Sequence, residues 1–417
     1  MTIALRRSWA KDLDPGTLHE PLNRRVEGFV VEQSISYPEL DRRDPLAETR
    51  HFRLEGPDVR PWGGHDRHAR TRRSRGPRSS APPERPPAPE LTVADTRCRT
   101  IEIETKRGLA MQAIVARDQQ AGTGGLCLAE VPYPHAAEND VIVQVRAASF
   151  TPHELEWPGT WTDRAGRDRT PSIPGHELSG VVAELGYGTT GLTAGQRVFG
   201  VTDWARNGTL AEFVAVEARN LAPLSADIDD IVAAAMPISG LTAWQGLFDH
   251  GQLAADQTIL IHGAAGAVGS IAVQLACEAG ARVIGSGRTA HRDTVLRLGA
   301  EDFLDLEQDR LEDIGQVDMV LDVLGGEILD RSATLVRPGG ALVTIAEPLR
   351  VWPSQARAVF FVVEPDRAGL VAVEHRLQDG RLRPIVGTVY PLAEAAAAFA
   401  PTHRRAGKTI IGVSESA

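Results

Sequence analysis

Thr258 to Arg288 reads TILIHGAAGAVGSIAVQLACEAGARVIGSGR, and this stretch decides the fold. Its opening apolar run, Ile259-Leu260-Ile261, has the character of a strand buried on both faces. The chain then turns at Gly263-Ala264-Ala265-Gly266-Ala267-Val268-Gly269. From Val268, an apolar stripe through Ile271, Ala272, Leu275, Ala276 and Ala279 describes a helix, and Gly280 sits where a helix stop belongs. Val283-Ile284 begins a second strand. A strand, glycine turn, helix and strand in about thirty residues is the size of a dinucleotide-binding βαβ unit. Small residues suit the turn because a pyrophosphate must approach the backbone and rest on the first N–H groups of the helix, where the dipole favours negative charge. Gly263, Gly266, Ala267, Val268 and Gly269 are the residues expected to meet it. Ala264 replaces the first glycine of G-x-G-x-x-G, so the context of the turn carries the reading more than its glycine spacing.

The whole chain has 417 residues, more than one domain's worth, and its 42% hydrophobic content can fill substantial cores. A net charge of -10 argues against nucleic acid as the main partner. Cys98, Cys127 and Cys277 are widely spaced and form neither a C-x-x-C pair nor a disulfide framework, which fits a reducing cytoplasm. No apolar run approaches the ~18 residues of a membrane span, and the N-terminus lacks a signal peptide's apolar core.

Residues 1–108 differ in character from the rest. Arg60 to Glu90 is rich in Arg, Pro, Ser and Gly with almost nothing to bury, so it reads as a disordered linker. Its cluster of Arg70, Arg72, Arg73, Arg75 and Arg78 reads as a solvated basic stretch. Upstream, Arg24 to Gln33, Tyr37 to Asp41 and Thr49-Arg50-His51 resemble the opening of a GNAT-superfamily acyltransferase. That match ends near Gly56, without the glycine-rich loop for acetyl-CoA, and implies a remnant.

From Met111 the composition is globular. Asp140 to Val145 alternates with period two, and Gly180 to Leu185, Gln196 to Phe199 and Ala211 to Val216 do so less cleanly. Short strands punctuated by Gly and Pro predict a small, partly open β-barrel. Ile231 to Met236 and Gly240 to Phe248 read as helices around Pro237. Strands are predicted at Phe303 to Asp305, Met319 to Val323, Ala341 to Ile345 and Val359 to Val363, with helices between, so the sheet is parallel and doubly wound. Ile385 to Tyr390, the alanine-rich Leu392 to Phe399 and Thr409 to Val413 return to the first domain.

From about residue 111 the chain resembles a medium-chain dehydrogenase/reductase of the zinc-free, quinone oxidoreductase-like, NADP-dependent branch. The residues that carry the likeness are Pro174-Gly175-His176-Glu177, Gly195 to Val198, Gly240 to Trp244, the glycine turn, Leu298 to Ala300 with Asp305, Asp318 to Gly326, Arg337 to Gly340, Gly380 to Pro384 and Gly407-Lys408. The resemblance implies an α/β protein: a GroES-like β-barrel catalytic domain at 109–229 and 381–417, and a Rossmann domain at 230–380. It also implies a cleft active site, cofactor contacts at Thr242, Val323, Ile345 and Lys408, and a homodimer.

Zinc-dependent relatives supply a Cys after the strand that ends near Ala148, whereas this chain has Ser149-Phe150-Thr151-Pro152-His153. Met236-Pro237 stands where a second Cys is expected. A zinc site needs three protein ligands and an open position, so no catalytic metal is expected, and His176 and Glu177 read as residues that order the cleft loop. Without a Lewis acid, a quinone, enal or enone is the suitable substrate, because conjugation spreads the charge that hydride transfer creates. Thr151 is the candidate for orienting nicotinamide ribose or substrate oxygen. His153 is a candidate proton donor or a packing residue. Trp157, Trp161 and Trp204 are candidates for the pocket walls. His262 reads as a structural histidine.

An NAD-binding unit places an Asp or Glu about twenty residues after the turn, on the adenosine ribose. Here Gly285-Ser286-Gly287-Arg288 occupies that place, with Arg292 one helical turn on, so NADP(H) is the expected cofactor through Ser286, Arg288 and Arg292. Alternative readings are a non-catalytic NADPH-binding sensor, a zinc-dependent alcohol dehydrogenase-like enzyme, and an acyltransferase governed by the N-terminal fragment.

Overall fold

The computed structural model describes residues 4–9, 50–55, 110–151, 153–399 and 406–414. The chain divides into two compact units, Met1–Arg99 and Thr100–Ala417. In the first, β1 (Ala4–Trp9) pairs antiparallel with β2 (Arg50–Glu55). The Arg/Pro-rich linker and most of the acyltransferase-like segment lie outside the described residues.

The second unit opens with an antiparallel ribbon, β3 (Ala110–Ala116) and β4 (Leu126–Pro132). Then come β5 (Asp140–Ser149), the single turn α1 (Pro158–Trp161), β6 (Glu177–Leu185), β7 (Arg197–Val201), β8 (Phe213–Glu217) and β9 (Leu221–Pro223). Two helices lead away, α2 (Asp230–Ala234) and α3 (Pro237–Trp244). Asp229 caps α2, its carboxylate accepting the Ile231 and Val232 N–H groups. Pro237 is preset for a first turn, and Met236 before it is the N-cap of α3. The helix expected from Gly240 therefore starts at Pro237, and the one expected to reach Met236 stops at Ala234.

The next stretch alternates strand and helix: β10 (Thr258–Ile261), α4 (Ala267–Glu278), β11 (Arg282–Gly287), α5 (Arg292–Arg297), β12 (Asp302–Asp305), β13 (Val317–Asp322), α6 (Gly326–Ser332), β14 (Val336–Thr344), β15 (Arg357–Phe360) and α7 (Arg367–Gln378). The chain closes with β16 (Val386–Pro391), α8 (Ala395–Ala398) and β17 (Lys408–Gly412). Among the described residues no helix is long and apolar enough to cross a membrane.

Two large sheets result. One has the order β16-β17-β5-β6-β7-β9 with β8 on β5, and the β3–β4 ribbon joins it through bridges from Ala113 to Ala211 and Ala116 to Ser172. This is a partly open barrel. Its central strand β5 does not alternate as its sequence suggests, because only Gln144 and Arg146 are even half-exposed. β17, β6 and β8 all pair with it. Val141, Val143 and Val145 enter the barrel core, while Ala147 packs with Ala234, Ala235 and Ile410.

The other sheet is parallel throughout, in the order β12-β11-β10-β13-β14-β15. Its strand order reverses between β10 and β13, the switch point where sheets of this kind bind ligands. β10 is the buried strand that its apolar run predicts, with Ile259 and Ile261 in one core and Leu260 in the core on the other face. Helix α4 follows and ends at Gly280, whose φ of +80° completes the stop. Ile261→Ala removes packing from a site with no exposure, and is expected to cost about 2–5 kcal/mol in urea unfolding.

Candidate functional site

The turn between β10 and α4 is built by glycines that have no substitute. Gly263 has φ +62°, and a Cβ there would lie 2.7 Å from Val323 Cγ2, so the end of β13 closes over it. A Cβ on Gly269 would lie 2.2 Å from the Gly263 carbonyl oxygen, which lets the first turn of α4 lie directly on the loop. The Ala264 N–H reaches across to the Ser286 carbonyl at 3.0 Å and the Gly266 N–H to that of Gly263 at 2.8 Å. Gly263, Gly266, Ala267 and Val268 form the accessible rim. Gly266 is the N-cap, no side chain caps the helix, and its first turn holds no acidic residue. The leading N–H groups of a helix have no intrahelical partner, so this end is open to an anion.

At the end of β11 the expected trio divides. Ser286 is fully buried and its hydroxyl is bonded to His262 Nδ1 at 2.7 Å, so it cannot meet a phosphate. The strand's alternation turns this side chain into the sheet's interior. His262 bonds Ser332 Oγ at 2.8 Å through its other nitrogen, the satisfied structural histidine that was expected. Arg292 donates to the Phe303 carbonyl at 3.2 Å and lies over the Phe303 ring. Only Arg288 is exposed and without a hydrogen bond or ion pair.

Val323 and Ile345 follow β13 and β14 and are half-buried beside the switch point, while Thr242 is buried in α3. Asp322, which the sequence reading did not single out, anchors the loop between Val323 and α6. It accepts the Leu324 and Gly325 N–H groups and the Thr344 hydroxyl, and burial pushes its carboxyl up from the ordinary value.

The cleft loop, 150–161, brings together only part of its expected set. Thr151 Oγ1 is buried and has no hydrogen-bond partner. Trp157 and Trp204 meet edge to face with ring centres 5.4 Å apart, and both flank the buried His176 ring. Trp161 is core instead of wall: it is buried against the barrel, and its Nε1 donates to the Leu155 carbonyl at 2.7 Å. His153, the candidate proton donor or packing residue, is exposed, with a left-handed φ of +66° and its ring beside Glu156 at 2.8 Å. Lys408 is buried in an ion pair with Glu177, so its ammonium is not free for a cofactor.

Residues 137–226 match the alcohol dehydrogenase GroES-like domain family, and residues 298–411 match a zinc-binding dehydrogenase family. The quinone oxidoreductase of Coxiella burnetii superimposes with a TM-score of 0.68 at 25% identity, covering 73% of this chain and 100% of that one. The chain is thus similar to members of the medium-chain dehydrogenase/reductase superfamily in both of these segments and in fold. The NADPH-dependent alkenal/one oxidoreductase of Arabidopsis thaliana is 28% identical over 296 residues, 67% of this chain and 73% of that protein. The spectinabilin polyketide synthase system protein NorB of Streptomyces orinoci is 35% identical over 244 residues, 54% of this chain, which spans only 11% of that longer relative.

Members of this superfamily take nicotinamide cofactors, and the uncapped α4 with its glycine floor fits a dinucleotide. The donor set does not fit the zinc that one matched family name implies. Ser149 Oγ is bonded to Glu177 and to the Ala234 carbonyl. His176 Nδ1 is bonded to Thr202 Oγ1 at 2.8 Å, and Glu177 is occupied by Ser149, Ile238 N–H and Lys408. Among the described residues no three His, Cys, Asp or Glu side chains converge to hold a metal ion.

Glu154 is a buried acid of the cleft loop that the sequence reading missed. It is completely buried, and desolvation pushes its carboxyl up to about 7. His176 Nε2 lies 3.6 Å from it, too far for a hydrogen bond, and burial with Arg169 nearby lowers that histidine to about 3. Both are neutral at mildly acidic pH. Burial also lowers His262 to about 3. The two histidines stabilise the fold above their ordinary 6.5, and this is lost as pH falls toward 3. Glu154 acts oppositely, because the native state holds its proton between 4.5 and 7 and stability falls as pH rises through that window. Glu154→Gln is therefore expected to gain melting temperature relative to the wild type as pH rises from 4.5 to 7. A difference that shrinks over that range would contradict a neutral Glu154.

Proposed function

We propose that the protein is an NADPH-dependent reductase that transfers hydride to a quinone or an α,β-unsaturated carbonyl without zinc. The observation that carries this reading is the buried, unpartnered Thr151 hydroxyl, in the cleft loop where zinc-dependent relatives have a cysteine. The nicotinamide supplies the hydride when the dinucleotide is bound. The amides of Ala267, Val268 and Gly269 at the start of α4 hold the pyrophosphate, over the floor made by Gly263 and Gly266. Val323 and Ile345 provide apolar contact beside the switch point, and Thr242 lines the same crevice from α3. Trp157 and Trp204 form the apolar wall against a flat acceptor.

Thr151 donates its hydroxyl to the oxygen on which negative charge develops. One neutral donor is modest electrostatic help. It suffices for an acceptor whose conjugation already spreads that charge, which is why saturated carbonyls are the poorer substrates. The names of the similar proteins, an alkenal/one oxidoreductase and a quinone oxidoreductase, support this class of acceptor. A homodimer in the cytoplasm is part of the same proposal.

Arg288 is the residue that favours NADPH, since its free guanidinium can fork onto a 2′-phosphate. Arg288→Ala is expected to raise the Michaelis constant for NADPH roughly tenfold to a hundredfold, the equivalent of one charge-assisted contact, and to leave that for NADH nearly unchanged. Equal effects on both cofactors would remove the assignment.

Thr151→Val keeps the side chain's shape and removes its hydroxyl. A loss of ~1 to 3 kcal/mol, about one to two decades in kcat, is expected with little change in NADPH affinity. The assay is NADPH oxidation with quinones, enals and enones, repeated after chelator treatment. Loss of activity with the chelator, or equal turnover of saturated aldehydes, would refute the proposed chemistry.

A further inference from the structure

Thr151-Pro152-His153-Glu154 has the T-x-x-E form of a helix capping box, in which the Thr hydroxyl takes the Glu N–H and the Glu side chain takes the Thr N–H. Here only half of the box is made. Glu154 Oε2 accepts the Thr151 N–H at 3.1 Å, but the Glu154 N–H goes to the Thr151 carbonyl at 3.1 Å. The hydroxyl that the box would consume is left over, buried and without a partner. The left-handed φ of His153 folds the chain back so that these two bonds close around residues 151 to 154.

The carboxyl has a second grip. Its Oε1 accepts the N–H of Gly175, just ahead of β6. Gly175 has φ +86°, and a Cβ there would lie 2.8 Å from Leu210 Cγ and Thr209 Oγ1, so its amide can point only one way. The Glu154 carbonyl also accepts the Thr160 hydroxyl at 2.7 Å, which ties the far end of the loop to the same residue. The charged and titratable groups around the carboxyl are His176 just ahead of β6, Glu177 from β6 and Lys408 from β17, and Lys408 is committed to Glu177. Glu154 is thus a buried acid held by backbone amides and by no cation.

We infer that Glu154 is the positioning residue of the active-site loop: its carboxyl clamps the Thr151 and Gly175 amides, fixing the Thr151 hydroxyl toward the cleft and keeping it free for substrate or cofactor. This rests on the proposed role of Thr151. It assigns the work to a residue that never touches the ligand.

The experiment is a double-mutant cycle on the full chain with Glu154→Ala, Glu154→Gln and Thr151→Val, read by kcat, by the Michaelis constant for NADPH, and by amide exchange across 150–161. Glu154→Ala is expected to lower kcat about tenfold, the rate equivalent of one ordinary hydrogen bond, with the NADPH constant little changed. Glu154→Gln keeps one acceptor and should fall between Ala and wild type. In the Thr151→Val background, Glu154→Ala should add almost nothing to the loss in kcat, whereas a merely structural residue gives independent losses that multiply. Amide exchange of the loop should rise in the Ala variant and rise less in the Gln variant. Multiplying losses, or loop exchange in Glu154→Ala equal to wild type, would overturn the inference. A wild type that reduces no acceptor would refute the proposed function, and the exchange of the Thr151 amide would then decide the clamp by itself.

Discussion

Glu177 is the constraint on which the arrangement of the two sheets depends. Its carboxylate accepts the Ser149 hydroxyl from the end of β5 and the Ile238 N–H from the start of α3, each at 2.8 Å, and pairs with Lys408 on β17. The barrel strand that delivers the cleft loop, the helix that leads into the parallel sheet and the strand that returns from it all meet on one side chain. A buried ion pair broken on one side costs about 3–5 kcal/mol, whereas the intact pair gains little over well-packed apolar residues. Its contribution is register. Thr151 lies two residues beyond Ser149 and Ser239 one beyond Ile238, so the clamp fixes where both walls of the cleft begin.

Ser239 extends the point. Its hydroxyl is buried in α3 and, like that of Thr151, has no hydrogen-bond partner. Most buried polar groups in folded chains are satisfied, and each one left over costs about 1–3 kcal/mol. Two such hydroxyls stand next to residues joined by Glu177, whereas the buried His262 is satisfied through both ring nitrogens.

The legible parts of the fold were those where one local pattern meets one structural role. β10, the glycine turn and α4 could be read directly because a buried parallel strand, a tight turn and an amphipathic helix each impose their own composition. β5 could not: its alternation promised one wet face, but pairing with three strands and packing by α2 bury both. At the site, residue type was legible and direction was not. Ser286, Trp161 and Lys408 have chemistry suited to a ligand, and each is turned to a partner inside the protein. Glu154 and Asp322 had the opposite fate. Glu154 sits in what reads as a polar loop and Asp322 at the end of a strand, and burial at both depends on segments far away in sequence. The T-x-x-E spacing was the available signal for Glu154, and it was overlooked because no long helix follows it.

The cleft has a consistent electrostatic logic. Among the described residues, Lys408 is committed to Glu177 and Arg169 to the Gly159 carbonyl. Glu154 and His176 are both driven toward neutrality by burial. In the reading proposed above, what meets a ligand there is a neutral hydroxyl, two indole rings and backbone. Such a surface cannot bind a full anion strongly, because nothing in it offsets the loss of hydration. It can accept a flat, neutral, polarisable molecule and offer one hydrogen bond to an oxygen that gains charge only during reaction. In the reading proposed above, strong charge recognition falls to Arg288 and to the uncapped end of α4. A nucleotide held there by its phosphates leaves the reacting end to be placed by shape, which makes the rigidity of the loop carrying Thr151 the limiting physical requirement of the site.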